Sequence, residues 1–224
     1  MNVLITGVSR GVGKELLELA RESKNVKKIF ACSSSTAVPC DSGKVNYLAV
    51  NFLDDNTIGN LVSSLKGEKI NVLINNAGYL HHEEFKKANL IQAKKMFDIN
   101  FWGPYQLIKG LLPNLIAGKG HVVNIGSMGG FQGSGKFPGL SAYSASKAAL
   151  ANLTECLAEE LKEDGVVFNC LALGAVDTEM LKKAFPNYVA GVTSNTMANY
   201  ILKFALNSSQ LINGKVLPVS TSTP

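Results

Sequence analysis

Apolar and polar positions along the 224 residues alternate between two textures. One consists of short runs that are apolar or β-branched almost throughout. The other consists of longer stretches in which apolar residues return every three or four positions. The first texture predicts strands over 2–6, 28–33, 47–50, 72–75, 121–125, 166–171 and 215–219. The second predicts helices over 12–22, 56–65, 88–112, 143–162 and 194–206, the third of them interrupted near Gly103-Pro104. Strands alternating with helices build βαβ units around a parallel sheet, and strands this apolar must be covered on both faces. The pattern therefore predicts an α/β fold: a doubly wound, mostly parallel seven-stranded sheet with helices on both faces, formed as a single domain over 1–224. No repeat, low-complexity stretch or linker marks a boundary, and 221–224 reads as a frayed end.

Right-handed crossovers make such a sheet Rossmann-like, with its ligand crevice at the carboxyl ends of the strands. The first strand runs directly into Thr6-Gly7-Val8-Ser9-Arg10-Gly11-Val12-Gly13 and then into an apolar helix. Glycines in that context let the backbone turn sharply and approach a pyrophosphate at the positive end of the helix. After the second strand, where a carboxylate would bind the ribose hydroxyls of NAD, the chain reads Ala31-Cys32-Ser33-Ser34-Ser35. With no acid there, Arg10 in the loop and the hydroxyls of Ser33 and Ser34 favour the extra phosphate of NADP(H), with NAD(H) as the second choice.

Tyr143 and Lys147 lie four apart in Tyr143-Ser144-Ala145-Ser146-Lys147, so a helix sets an ammonium beside a phenol. A fixed positive charge favours the phenolate and lowers its pKa from ~10, which suits proton transfer. Ser127 follows an apolar strand and falls in the crevice, either as a polar contact or as a plain turn residue before Gly129-Gly130. Asn100 interrupts Met96-Phe97-Asp98-Ile99-Asn100-Phe101-Trp102, where a buried amide is unexpected unless it kinks or caps the helix.

Taken together, these residues resemble the short-chain dehydrogenase/reductase family, of its shorter type, over nearly the whole chain. Thr6-Gly7-x-x-x-Gly11-x-Gly13 is similar to the family's cofactor loop, Asn75-Asn76-Ala77-Gly78 to its turn after strand four, and Tyr143-x-x-x-Lys147 to its catalytic pair. The resemblance implies a catalytic tetrad of Asn100, Ser127, Tyr143 and Lys147. Tyr143 would be the acid or base, and Lys147 would lower its pKa and bind the nicotinamide ribose. Ser127 would bond the substrate oxygen, and Asn100 would hold a proton-relaying water. It further implies cofactor contacts from Gly7, Ser9, Arg10, Gly11, Val12, Gly13, Ser33, Ser34, Asn51, Phe52, Asn76, Ala77, Gly78, Gly174, Val176 and Thr178. Thr178 also fits a helix N-cap, and both roles can coexist. Two positions depart from the family's pattern: Leu173 stands where proline is usual before Gly174, and Asn51 stands for an adenine-binding aspartate. The first loosens the segment modestly and the second keeps an acceptor oxygen.

The substrate side is drawn from Ser127, Tyr143, Met128 and Phe137, with His81 at the crevice mouth. The loop over 128–140, with Phe131 and Phe137, forms a wall, and Met180, Leu181 and Phe185 a lid; plain packing accounts for these apolar residues equally well. The lid segment, 178–193, is short, which suits a small carbonyl compound or one end of a larger substrate.

Composition changes the picture little. Apolar residues at 46% and charged residues at 17% are globular proportions. The formal charge of +5 is spread over pairs such as Lys86-Lys87 and Lys94-Lys95 without a stripe, so no nucleic-acid partner is expected. Cys32, Cys40, Cys156 and Cys170 lack the spacing of a metal set and read as reduced thiols, and His81-His82 point apart, so no metal is expected. No run approaches the ~20 apolar residues of a membrane span and the N-terminal run is too short for a signal peptide, so no membrane partner and a cytoplasmic location are expected. The helices over 88–112 and 143–162 are apolar on more than one face, which predicts a homodimer or homotetramer. The chemistry predicts an oxidoreductase acting on a small-molecule carbonyl or alcohol; the alternative is a non-catalytic dinucleotide-binding sensor or scaffold of the same fold.

Overall fold

A computed structural model describes residues 1–34 and 43–221. In chain order its elements are β1 (Asn2–Thr6), α1 (Gly11–Glu22), β2 (Lys28–Ser33), β3 (Val45–Ala49), α2 (Asp55–Ser64), β4 (Val72–Asn75), α3 (Leu90–Phe97), α4 (Gly103–Gly110), α5 (Leu112–Gly118), β5 (His121–Ser127), α6 (Ser141–Glu160), β6 (Val167–Leu173), α7 (Glu179–Ala184), α8 (Ser194–Asn207) and β7 (Lys215–Val219). The strands form one seven-stranded sheet in the order β3-β2-β1-β4-β5-β6-β7, every pair parallel. This is the doubly wound architecture the alternating pattern predicts, and its strand order reverses between β1 and β4.

Successive side chains of each strand face opposite layers, and the core divides accordingly. Val3 and Ile5 of β1 pack with Ile29 of β2 against Leu16, Leu17 and Ala20 of α1 and Ala198, Ile201 and Ala205 of α8. Leu4, Phe30 and Leu73 face the other way, onto Ile58 and Leu61 of α2, Leu107 and Ile108 of α4, and Leu115 of α5. Both sheet faces are thus dry, which explains why the strands lack a polar face. Among the described residues most of the polar side chains buried between layers are paired, Asn75 leaving its oxygen without a partner. His121, at the start of β5, joins the carbonyl of Ala205 on α8 (2.9 Å) to the Asn169 amide of β6 (3.0 Å).

The structure changes three sequence expectations. The stretch 88–112 is not one helix with a break at glycine. α3 passes through a π-helical stretch, Asp98–Trp102, into α4, and a turn at Leu111 starts α5, with Pro113 in its first turn. Gly103 answers to packing: a Cβ there would stand 2.6 Å from the Phe52 ring. β5 and β6 each run two residues farther than expected, to Ser127 and Leu173, so both strands deliver their last residues into the crevice. Finally, 179–184 forms a helix, too short to show a period of its own.

Cys32 and Cys170 are buried free thiols and Cys156 an exposed one, whereas Cys40, Ser35 and the last three residues lie outside the described residues. Among the described residues no helix is long and apolar enough to cross a membrane, and no cluster of three or more His, Cys, Asp or Glu could hold a metal ion.

Candidate active site

A cavity of about 1020 Å³ opens where the strand order reverses, at the carboxyl ends of β1, β4, β5 and β6. That is the upper end of the range for small-ligand sites. One wall is the loop from β1 into α1. Gly7 has φ +75, and a Cβ on it would stand 2.8 Å from Ala77 Cα; on Gly13 it would come within 2.0 Å of the Gly7 carbonyl oxygen. The loop is folded so tightly on itself and on the β4 turn that only glycine fits. Asn76 braces it, its side-chain amide donating to the carbonyls of Thr6 (3.0 Å) and Gly7 (3.2 Å). Buried Thr6 completes the brace by accepting from the amides of Asn76 (3.1 Å) and Ala77 (3.0 Å). The result is a rigid cradle at the N-terminus of α1, lined by Gly7, Ser9, Arg10, Gly11, Val12 and Gly13.

Ser33, Ser34, Asn51 and Phe52 line the far end of the cavity, and Asn76, Ala77 and Gly78 its floor. Asn51 is partly committed, its side-chain oxygen accepting from Leu53 N at 3.1 Å. Above the loop lie Gly174, Val176 and Thr178. Thr178 caps α7 by accepting from Leu181 N (3.2 Å), and its methyl would be 3.5 Å from a Cβ on Gly11. Arg10 pairs with Glu179 at 3.6 Å across the same gap, so α7 is tied to the loop beneath it.

The tetrad residues converge on the other half. Tyr143 and Lys147 lie one turn apart on α6, and the Tyr143 hydroxyl is hydrogen-bonded to Ser127 at the end of β5. Ser127 also accepts from Gly129 N at 3.2 Å, which fixes its rotamer. The Lys147 ammonium is only 4% exposed and donates to the carbonyl of Ile125 at 2.7 Å. Burial pulls its pKa down to about 8, opposed by the nearby Cys170. Burial pushes the Tyr143 phenol up, opposed by the Ser127 hydrogen bond. The phenol is therefore raised, not lowered as the spacing alone suggested, because desolvation outweighs the Ser127 hydrogen bond.

Asn100 is fully buried inside the π-helical stretch, so the helix is irregular at this residue. Its oxygen accepts from Tyr79 N (2.8 Å), and its amino group donates to Tyr79 O (2.9 Å) and Ser146 Oγ (3.0 Å). The side chain thereby clamps the turn after β4 to α6. A Cβ on Gly78 would lie 3.5 Å from the Asn100 oxygen and 3.6 Å from Lys147 Nζ, which puts these two groups around one glycine.

On the substrate side, Met128, Phe137, Met180, Leu181 and Phe185 line the cavity as expected, joined by Leu140 and Tyr188. His81 and Phe131 do not. The His81 ring turns to Glu83 (3.6 Å), and the wall positions fall to Tyr79 and Leu80. The neighbouring His82 instead packs edge-on against Phe185 (5.0 Å) and contacts the carbonyl of Pro138 (3.2 Å). A buried chain missed in the sequence holds α6 in place. Asn75 of β4 donates to Asn124 of β5 (2.8 Å), which donates to Thr154 of α6 (2.9 Å), which donates to the carbonyl of Leu150 (2.8 Å). Asparagines at strand positions that are otherwise apolar were its one visible signal.

Residues 1–189 match the family model described as short chain dehydrogenase. The chain is 34% identical over 189 residues to the short-chain dehydrogenase PC-15 of Penicillium crustosum, covering 79% of this chain and 66% of that protein. It is 30% identical over 211 residues to a 3-oxoacyl-[acyl-carrier-protein] reductase of Synechocystis, covering 90% of this chain and 79% of the relative. A crystal structure of a short chain dehydrogenase from Burkholderia cenocepacia in complex with NADP shares the fold, with a TM-score of 0.83 at 22% identity over 98% of this chain and 88% of that one.

Proposed function

This chain belongs to the short-chain dehydrogenase/reductase family of NAD(P)-dependent oxidoreductases, and from that membership we propose that it interconverts a carbonyl and an alcohol with NADP(H) as preferred cofactor. The observation that carries the proposal is the Ser127–Tyr143 hydrogen bond beside buried Lys147, in the same cavity as the glycine cradle. The cradle fits a dinucleotide: its glycines leave no room for a Cβ, and its amides open onto a helix N-terminus. Gly7 to Gly13 would hold the pyrophosphate, Val176 and Thr178 the carboxamide, and Lys147 the nicotinamide ribose. Arg10, Ser33 and Ser34 support the preference for the 2′-phosphate, with NAD(H) as the second choice.

The bound nicotinamide supplies or accepts the hydride. The protein's own groups manage the oxygen and the proton. Ser127 donates to the substrate oxygen and stabilises the alkoxide that develops there. Tyr143, held protonated by burial, gives its proton to that oxygen in reduction and takes it back in oxidation. The Lys147 ammonium, charged below about pH 8, favours the phenolate left behind.

Turnover of NADPH against a panel of ketones, aldehydes and diones tests the reading, with Tyr143→Phe as control. A substantial loss in that variant is expected; unchanged turnover would sink the mechanism. No turnover with any compound, together with tight cofactor binding, would assign the protein as a dinucleotide-binding sensor or scaffold. The assembly belongs to the same proposal. Phe101 and Trp102 of the π-helical stretch and Tyr105 of α4 form an aromatic cluster, with Trp102 47% and Tyr105 36% exposed, and supply an apolar face for a homodimer or homotetramer together with α6. A monomer in light scattering at micromolar concentration would refute it.

A further inference from the structure

We propose that Lys95 of α3 anchors an anionic group on the substrate, so that the natural substrate is a carbonyl compound bearing a carboxylate or phosphate rather than a neutral ketone. The inference rests on the oxidoreductase reading and adds a substrate class to it. Among the described residues four charged side chains line the cavity: Arg10, Lys95, Lys147 and Glu179. Arg10 and Glu179 pair with each other at 3.6 Å, and Lys147 is bonded to Ile125 O in the catalytic cluster. Lys95 has no carboxylate and no hydrogen-bond acceptor among the described residues. Its ammonium stands over the Tyr79 ring, 4.6 Å from the centroid.

A ring face holds a cation in place without cancelling its charge, unlike a carboxylate. The ring itself is fixed. The Tyr79 hydroxyl donates to Gln92 Oε1 at 2.7 Å, one turn before Lys95 on α3, and its backbone is clamped on both sides by Asn100. Lys95 is therefore a positioned, half-buried positive charge with an open coordination side, on a wall that is otherwise apolar. With no counter-charge beside it, this ammonium is available to pair with an incoming anion. The adjoining residue along the chain, Gly78, touches the space around Lys147 Nζ, so an anion on Lys95 and a carbonyl near Tyr143 share one continuous cavity. The phosphates of the cofactor would have their own cradle in the glycine loop and at Ser33 and Ser34.

Calorimetric titration of the full-length protein with matched pairs tests the inference: 3-hydroxyhexanoate against its methyl ester, and dihydroxyacetone phosphate against dihydroxyacetone, each with and without NADP⁺. Running the titrations in the Tyr143→Phe background decides the inference without any turnover, so a failure of the catalytic reading is read separately from a failure of this one. For at least one pair the anion is expected to bind tenfold tighter or more. Lys95→Met should collapse that ratio to within twofold, and Lys95→Arg should keep most of it. No preference for the anion in either pair would overturn the proposal. So would a Lys95→Met variant that keeps the ratio, or one that loses NADPH affinity instead, which would assign the ammonium to the cofactor.

Discussion

Lowering the pH should weaken the folded protein through one side chain, His121. Its ring is 2% exposed. The Ala205 carbonyl can only accept, so Nδ1 carries the proton in that 2.9 Å bond. The Asn169 amide cannot turn round, because its oxygen accepts from Lys215 N (3.1 Å) and its nitrogen donates to Ile212 O (2.8 Å). Nε2 must therefore accept from Asn169 at 3.0 Å, and the neutral ring satisfies both partners. A second proton would set two donors face to face in a dry layer. Burial accordingly lowers the His121 pKa, with the Ala205 bond opposing only in part. As pH falls, the unfolded chain takes up this proton near ~6.5 while the folded protein resists, so stability is fully present above that value and is lost below it. The ceiling is one proton, ~1.36 kcal/mol per pH unit, or ~2 kcal/mol by pH 5. Urea unfolding at fixed protein concentration and ionic strength, in steps from pH 7.5 to 5.0, measures the slope. His121→Gln is expected to lower stability throughout but to flatten the slope. Parallel slopes for the two proteins would refute the argument, whatever their absolute stabilities.

Three further outcomes are expected. Gly13→Ala should lose dinucleotide binding altogether, because its Cβ has no place within 2.0 Å of the Gly7 carbonyl; fluorescence titration with NADPH would show it. In the reductive direction kcat/KM should hold below about pH 8 and fall above it, as Lys147 loses the charge that supports Tyr143; a pH profile reads that limb. Thr154→Val keeps the shape of the side chain but strands an Asn124 donor in the core, at a cost of ~1–3 kcal/mol measurable by urea unfolding.

The sheet was legible because its strands are dry on both faces and separated by helices of clear period. The ends of those strands carry the chemistry directly, with Gly7 to Gly13 after β1 and Ser127 closing β5, and the Tyr143/Lys147 spacing on α6 supplies the rest. What stayed hidden depends on partners far away in the chain. The periodicity that revealed a helix over 88–112 does not separate a four-residue turn from the five-residue turn at Asp98–Trp102. His81 looked like a mouth residue from its distance to Gly78, but nothing local said that its ring would turn to Glu83. Spacing reveals the charge beside Tyr143 but not the depth at which both groups are buried, and that depth sets the direction of the shift. Lys95 drew no notice as half of a surface lysine pair, since only the folded protein shows the ring beneath it and the missing counter-charge.

In terms of chain length, the π-helical stretch is one residue more than an α-helix needs. Deleting one residue between 98 and 102 would close the wide turn to an ordinary α-helical one and leave α4 near its present angle to α3, because the bulge is where the extra residue is absorbed. Leu107 and Ile108 would keep their places in the core, whereas Asn100 would be lost or displaced from its place beside Tyr79. A deletion scan should therefore find folding spared here and lost on either side, in α3 and α4, where each missing residue turns the rest of the helix by ~100°.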